Sequence, residues 1–175
     1  MNPEPVSQRS SDISWSRPQD WRTLLTAVQR PVCHEPRLKS ARNLAADIRR
    51  ELSGIFPVLD GLCHRSCPWC PDPCCLNARL WFDIKDILFL LLTDQQPCSH
   101  RNQPCRYLGG RGCRLPRLRR PFTCTWYMCP TQKAILRQEG DLPAEKLLSG
   151  IERIKAMRKQ LVSETGTEKF FYRLP

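Results

Sequence analysis

The chain has 175 residues, with 28 Lys and Arg against 17 Asp and Glu, a formal charge of +11, and 11 cysteines and 16 prolines beside only 8 glycines. That length fits one domain, and an apolar share of 41% is lean for a large self-sufficient core. The longest apolar run, Ile87 to Leu92, falls far short of the roughly 18 residues that cross a bilayer. The opening MNPEPVSQRSSDISWSRP lacks the apolar stretch of a secretory signal. These features argue against a membrane span, an exported disulfide scaffold and a barrel-sized enzyme, and lead us to expect a cytoplasmic chain.

Residues 1–17 are polar with scattered Pro and Ser and read as a disordered lead-in. Trp21 to Gln29 predicts a short amphipathic helix, with Trp21, Leu24, Leu25 and Val28 on one side. Arg37 to Leu52 predicts a better one, since Leu38, Ala41, Ala45, Ile48 and Leu52 recur at helical spacing and Gly54 follows as a stop. A first cysteine loop is expected from Leu62 to about Asn77, then a buried helix from Leu80 to Thr93. Gly109 to Gly112 predicts a hairpin turn between short strands near Cys105 and Cys113. In the C-terminal helix Asp141 is the expected cap, Pro143 suits the first turn, and Leu147, Ile151, Ile154 and Leu161 form a stripe read as core. The fold expected is mainly α with a small irregular or β, cysteine-rich metal-binding core in a single domain. Its parts are the lead-in to residue 17, N-terminal helices over 18–60, the cysteine-rich core over 61–130 and a helical segment and tail over 131–175.

Ten of the eleven cysteines lie between Cys63 and Cys129; only Cys33 stands outside. Their spacing is Cys63-x3-Cys67-x2-Cys70-x3-Cys74-Cys75, then Cys98-x6-Cys105-x7-Cys113, then Cys124-x4-Cys129. In a reducing compartment such density reads as metal ligation before disulfides. A C-x2-C turn lets two thiolates point at one ion about 2.3 Å away, and two such groups close a tetrahedral or cluster site. Pro68, Pro71, Pro73, Pro97, Pro104, Pro121 and Pro130 lie near these cysteines and stiffen the intervening chain. Buried thiols acting as small hydrophobes are the plain alternative; the clustering argues against it. His34, His64 and His100 each follow or nearly follow a cysteine and are read as neighbours of the site more than as ligands. Thiolate donors suit zinc and iron–sulfur clusters alike, so zinc, iron or a 4Fe-4S cluster all remain open.

Cys63-His-Arg-Ser-Cys67-Pro-Trp-Cys70 fits the C-x3-C-x-aromatic-C signature that holds the cluster of radical S-adenosylmethionine enzymes. Those enzymes follow it with a barrel, which needs on the order of 200 residues, and 105 residues follow Cys70 here. That chemistry is therefore kept only as a minor alternative, an Fe–S redox or cluster-using enzyme component.

From Cys67 onward the order of features resembles the YkgJ-type family, described as zinc- or iron-chelating domains. Its first piece corresponds to Cys67, Cys70, Cys74 and Cys75. The second corresponds to Cys105-Arg-Tyr107-Leu108 leading to Cys113, and the third to Arg120-Pro121-Phe122-Thr123-Cys124. The match spans roughly 60 of the 175 residues. It implies chelation by Cys67, Cys70, Cys74, Cys75, Cys105, Cys113 and Cys124 and implies no reaction. Here three residues rather than two precede the Cys-Cys pair, and Cys63, Cys98 and Cys129 are extra to the pattern; these three are the next candidate ligands.

Gln95 to Gln138 contains no Asp or Glu, while Arg101, Arg106, Arg111, Arg114, Arg117, Arg119 and Arg120 fall in one stretch with Tyr107, Phe122, Trp126 and Tyr127 interleaved. One reading is a zinc-stabilised nucleic-acid-binding module whose arginines meet phosphates and whose rings stack on bases. The other, which we favour, is local: arginines among the cysteines offset the charge of metal-bound thiolates. Asp83 and Asp86 lie three apart and read as the wet edge of a helix more than as a catalytic pair. No H-E-x-x-H, phosphate-binding glycine loop or G-x-S-x-G is present.

Overall fold

The structure is a computed structural model that describes residues 18–34, 38–74, 82–97, 105, 107–109 and 112–167. The predicted lead-in lies outside these. Six α-helices are described: α1 (Pro18–His34), α2 (Lys39–Ser66), α3 (Ile84–Leu92), α4 (Phe122–Trp126), α5 (Pro130–Gln138) and α6 (Asp141–Thr165). The strands β1 (Leu108–Gly109) and β2 (Gly112–Cys113) pair antiparallel, with Leu108 opposite Cys113. The protein is thus mainly helical with one small hairpin, at the position the glycines predict.

The fold is built on a seam between its two longest helices. Along α2 the buried residues are Ala41, Ala45, Ile48, Leu52, Ile55, Leu59 and Leu62. They alternate in steps of four and three, the 3.5-residue repeat that keeps one stripe facing a partner helix. Along α6 the residues Leu147, Ile151, Ile154, Arg158 and Leu161 are buried with the same alternation. The helices run antiparallel: Ser40 bonds Glu164, Glu51 pairs with Arg153 at 2.9 Å, and Ile55 abuts Gly150. Each fully buried Ile or Leu of this seam contributes roughly 1.5–3 kcal/mol of transfer free energy.

The expected stop at Gly54 is corrected, because α2 runs on through Gly54, Pro57 and Gly61 to Ser66. Gly54 and Pro57 fall on the exposed face, so the breakers act where no packing is lost, while Ile55, Leu59 and Leu62 extend the seam. The first cysteine loop is corrected with it: Cys63 belongs to the helix and Cys67–Trp69 form a 3-10 turn. At the start of α6 the N-cap is Gly140, at φ 99, and Asp141 is the first helical residue. The chain turns sharply from α5 into α6 there, and only glycine takes that backbone readily.

Helix α3 packs against α1, α2 and α6, and every residue from Asp86 to Leu92 is buried. Trp21 of α1 rests against Phe82 with ring centroids 5.9 Å apart. Asp83 caps α3 reciprocally with Asp86: the Asp86 N–H donates to Asp83 at 2.8 Å and the Asp83 N–H to Asp86 at 3.0 Å. Asp86, 4% exposed, is therefore not a wet helix edge. Arg158, occupying an apolar position of the α6 stripe, donates to Asp86 at 2.7 Å and to Asp83 at 2.8 Å. The Phe122 N–H reaches the same Asp86 oxygen at 3.0 Å, and the Arg158 guanidinium lies 4.4 Å from the Phe122 ring centroid. One buried cation so ties α3, α4 and α6 together.

Burial pushes the Asp86 carboxyl from its ordinary 3.8 up to about 6, against the pull of Arg158, with the Asp83 charge adding to the rise. Since the folded value exceeds the unfolded one, this group's contribution to stability is full below about pH 4 and is lost as pH rises through about 6. Asp86→Asn removes that downward component from a stability–pH curve measured by urea unfolding. Arg158→Met, which leaves buried carboxylate without its cation, should cost about 3–5 kcal/mol in the same assay at pH 7. At the seam, a Cβ on Gly150 would meet Ile55 Cγ2 at 3.0 Å, whereas one on Gly54 meets nothing within 4 Å. Gly54→Ala should therefore stabilise by about 0.5–1 kcal/mol through helix propensity, and Gly150→Val should destabilise by about 1–3 kcal/mol through overpacking.

Candidate metal centre

The end of α2 presents the first thiols. Cys63 and Cys67 are four residues apart, the spacing that puts two side chains on one helix face. Cys67 also opens the 3-10 turn, whose close brings the Cys70 N–H to the Cys67 carbonyl at 3.3 Å. Cys63, Cys67 and Cys70 are half-buried, and Trp69 between the last two is 84% exposed.

The other side of this group comes from the start of α5. Cys129 is its N-cap and Pro130 its first residue, with Gln132 completing a reciprocal cap. The Cys129 N–H donates to Gln132 Oε1 at 3.2 Å, and the Cys129 sulfur accepts from the Gln132 backbone N–H. That fixes the other end of the amide toward α2. Gln132 Nε2 donates to Cys63 Sγ at 3.4 Å and to Cys67 Sγ at 3.7 Å, and the side chain is only 5% exposed. Arg117, 9% exposed, arrives from a 3-10 turn at Arg117–Arg119. Its Nη2 donates to Cys63 Sγ at 3.3 Å, and its Nε donates to the Asp60 carboxylate one turn before Cys63. Ser66 Oγ lies 3.8 Å from Cys67 Sγ. Cys63, Cys67 and Cys129 are so gathered about one glutamine from segments more than sixty residues apart.

The remaining predicted ligands stand differently. Cys105 precedes the hairpin and Cys113 lies in its second strand, both half-buried against the core, with the Leu108 N–H bonded to the Cys105 carbonyl at 3.0 Å. Cys74 and Cys124 are exposed. Cys75, Cys98 and His100 lie outside the described residues, and His64 is exposed. Among the described residues, no three cysteine, histidine, aspartate or glutamate side chains are placed to hold a metal ion together.

Of the arginine stretch, Arg101, Arg106 and Arg111 lie outside the described residues. Arg117 meets Asp60 and Cys63, Arg119 donates to the Gln96 carbonyl at 3.3 Å, and Arg120 donates to the carbonyls of Leu115 at 2.8 Å and Cys113 at 3.3 Å. Three of the four described arginines are thus engaged within the protein; Arg114 is exposed and its Nε lies over Gly109. Among the described residues no helix is long and apolar enough to cross a membrane.

Sequence reasoning singled out the cysteines, counted Arg117 among the arginines set against them and missed Gln132. A signal for Gln132 existed: Cys129-Pro130-x-Gln132 is a cap pattern with cysteine in the place of serine, followed by a proline that starts a helix. No signal marked Arg117 among its neighbours. Compared with known protein families, curated proteins and solved structures, the chain matches none.

Proposed function

We propose that this protein binds a metal, zinc or an iron or iron–sulfur centre, through thiolates of its clustered cysteines. The observation that carries the reading is the convergence of a nearly buried amide and a nearly buried guanidinium on the half-buried sulfurs of Cys63 and Cys67. N–H donors aimed at sulfur, one of them charged, would suit metal-bound sulfurs, and Cys63 and Cys67 would be two of the ligands of such a centre. The resemblance to the YkgJ-type cysteine pattern supports the same reading and extends it to Cys70, Cys74, Cys75, Cys105, Cys113 and Cys124, with Cys98 and Cys129 as further candidates. A bound metal would supply cross-linking between the end of α2 and the segment over 105–138, as structural metals do in small domains. The nucleic-acid reading draws less support, because Arg117, Arg119 and Arg120 donate to acceptors inside the protein.

The test is the metal and acid-labile sulfide content of untagged protein purified without oxygen, read beside its visible spectrum. About one or two zinc ions in a colourless protein, or iron with matching sulfide in a brown one, is the expected result. Cys67→Ser with Cys70→Ser should lower that content. Stripping the metal should speed amide exchange over 105–138 while the α2–α6 seam stays protected. Metal-free protein with all thiols titratable would sink the reading.

A further inference from the structure

Two nearly buried polar side chains direct N–H donors at the Cys63 sulfur. Gln132 and Arg117 are 5% and 9% exposed, and removing an amide and a guanidinium from water is costly without good acceptors. A free thiol sulfur is a weak acceptor, whereas a metal-bound sulfur would be a stronger one for the same donors. The Gln132 amide cannot turn its oxygen to the sulfurs without abandoning the Cys129 N–H. Its Nε2 is therefore held toward both sulfurs by the cap of α5, and Arg117 is held toward Cys63 by Asp60 and by the Phe56 ring, 5.9 Å from its guanidinium carbon.

We infer that Gln132 and Arg117 are the positioning residues of the thiol centre, and that Cys63, which is extra to the family pattern, belongs to it beside Cys67. The inference rests on the metal-binding reading. The two side chains orient a pair of sulfurs and balance their charge; they do not themselves ligate. Gln132 also couples the pair to Cys129, since one residue contacts all three cysteines.

The experiment uses the full chain, stripped of metal under reducing conditions and titrated with cobalt(II), whose thiolate charge-transfer absorption reports sulfur ligation. Zinc affinity follows by competition with a coloured chelator. Gln132→Glu keeps the shape and the acceptor for Cys129 but faces the sulfurs with a carboxylate oxygen; Gln132→Leu removes both polar ends. Gln138→Glu makes the same charge change on an exposed part of α5, and far-UV circular dichroism checks the helices of each variant. The expected result is a cobalt–thiolate band in the parent, zinc affinity weaker by about 10–100-fold in Gln132→Glu and Gln132→Leu, and a change within about twofold in Gln138→Glu. Arg117→Lys, which keeps charge but not the fork, should shift the cobalt band. A parent that binds while both Gln132 variants bind equally well overturns the positioning role and leaves the metal reading standing. A parent with no cobalt–thiolate band that is also purified without metal or sulfide overturns both.

Discussion

A guanidinium sits where a leucine would serve the α2–α6 seam, and the arrangement of the surrounding helices follows from what it needs. Arg158 is 5% exposed, and a cation so placed must find acceptors within the protein. It finds them in the first turn of α3, where Asp83 and Asp86 are already locked to each other by their reciprocal cap. Asp86 then receives the N–H of Phe122, whose ring lies under the guanidinium. An aliphatic side chain would pack at this position in several rotations of α3; the forked donor accepts one. Because α4 begins at Phe122 and Cys129 follows close behind it, the same ion pair also determines where the second half of the thiol group enters the structure.

The helices show which signals of a sequence survive folding. The stripe from Ala41 to Leu52 continues in the same four-three alternation to Leu62, yet Gly54 invites a stop. A glycine costs about 1 kcal/mol in a helix and a proline about 3. Burying Ile55, Leu59 and Leu62 returns roughly 1.5–3 kcal/mol each, which outweighs both when the breakers face water. Periodicity was the stronger guide there, punctuation the weaker. The stripe of α6 was legible for the same reason, apart from Arg158, which a hydrophobic pattern passes over. Its cap was not legible, because the positive φ of Gly140 answers to the direction in which α5 arrives.

At the thiol group, residue type was legible and placement was not. Cysteines announce their chemistry wherever they fall, so all of Cys63, Cys67 and Cys129 could be singled out. The three-residue gap between Cys63 and Cys67 reads as a loop in isolation; on a helix it is same-face spacing, and only the length of α2 decides between them. Gln132 and Arg117 take their meaning from partners 69 and 54 residues away, and no local pattern encodes such distances. The run of arginines was legible as charge set locally among the cysteines, whereas the particular carbonyls and sulfurs that Arg117, Arg119 and Arg120 take are supplied by the fold.

The distribution of apolar residues explains why a metal would matter in one part of this chain and not another. Helices α1, α2, α3 and α6 supply most of the buried cluster, and among the described residues of 105–138 only Leu115, Phe122, Met128 and Leu136 join it as buried side chains. The long helices can hold together by packing alone. The segment that carries Cys105, Cys113, Cys124 and Cys129 has short elements, little apolar burial and no acidic residue of its own. Its carboxylate partner, Asp60, comes from α2 and is largely exposed, so that pair is screened by water, while the Arg117 contact with the Cys63 sulfur is shielded by the burial of the arginine. Positive charge is thus already in place against sulfur before any ligand arrives. A cross-link between sulfurs would stabilise a segment that, among the described residues, buries little apolar surface.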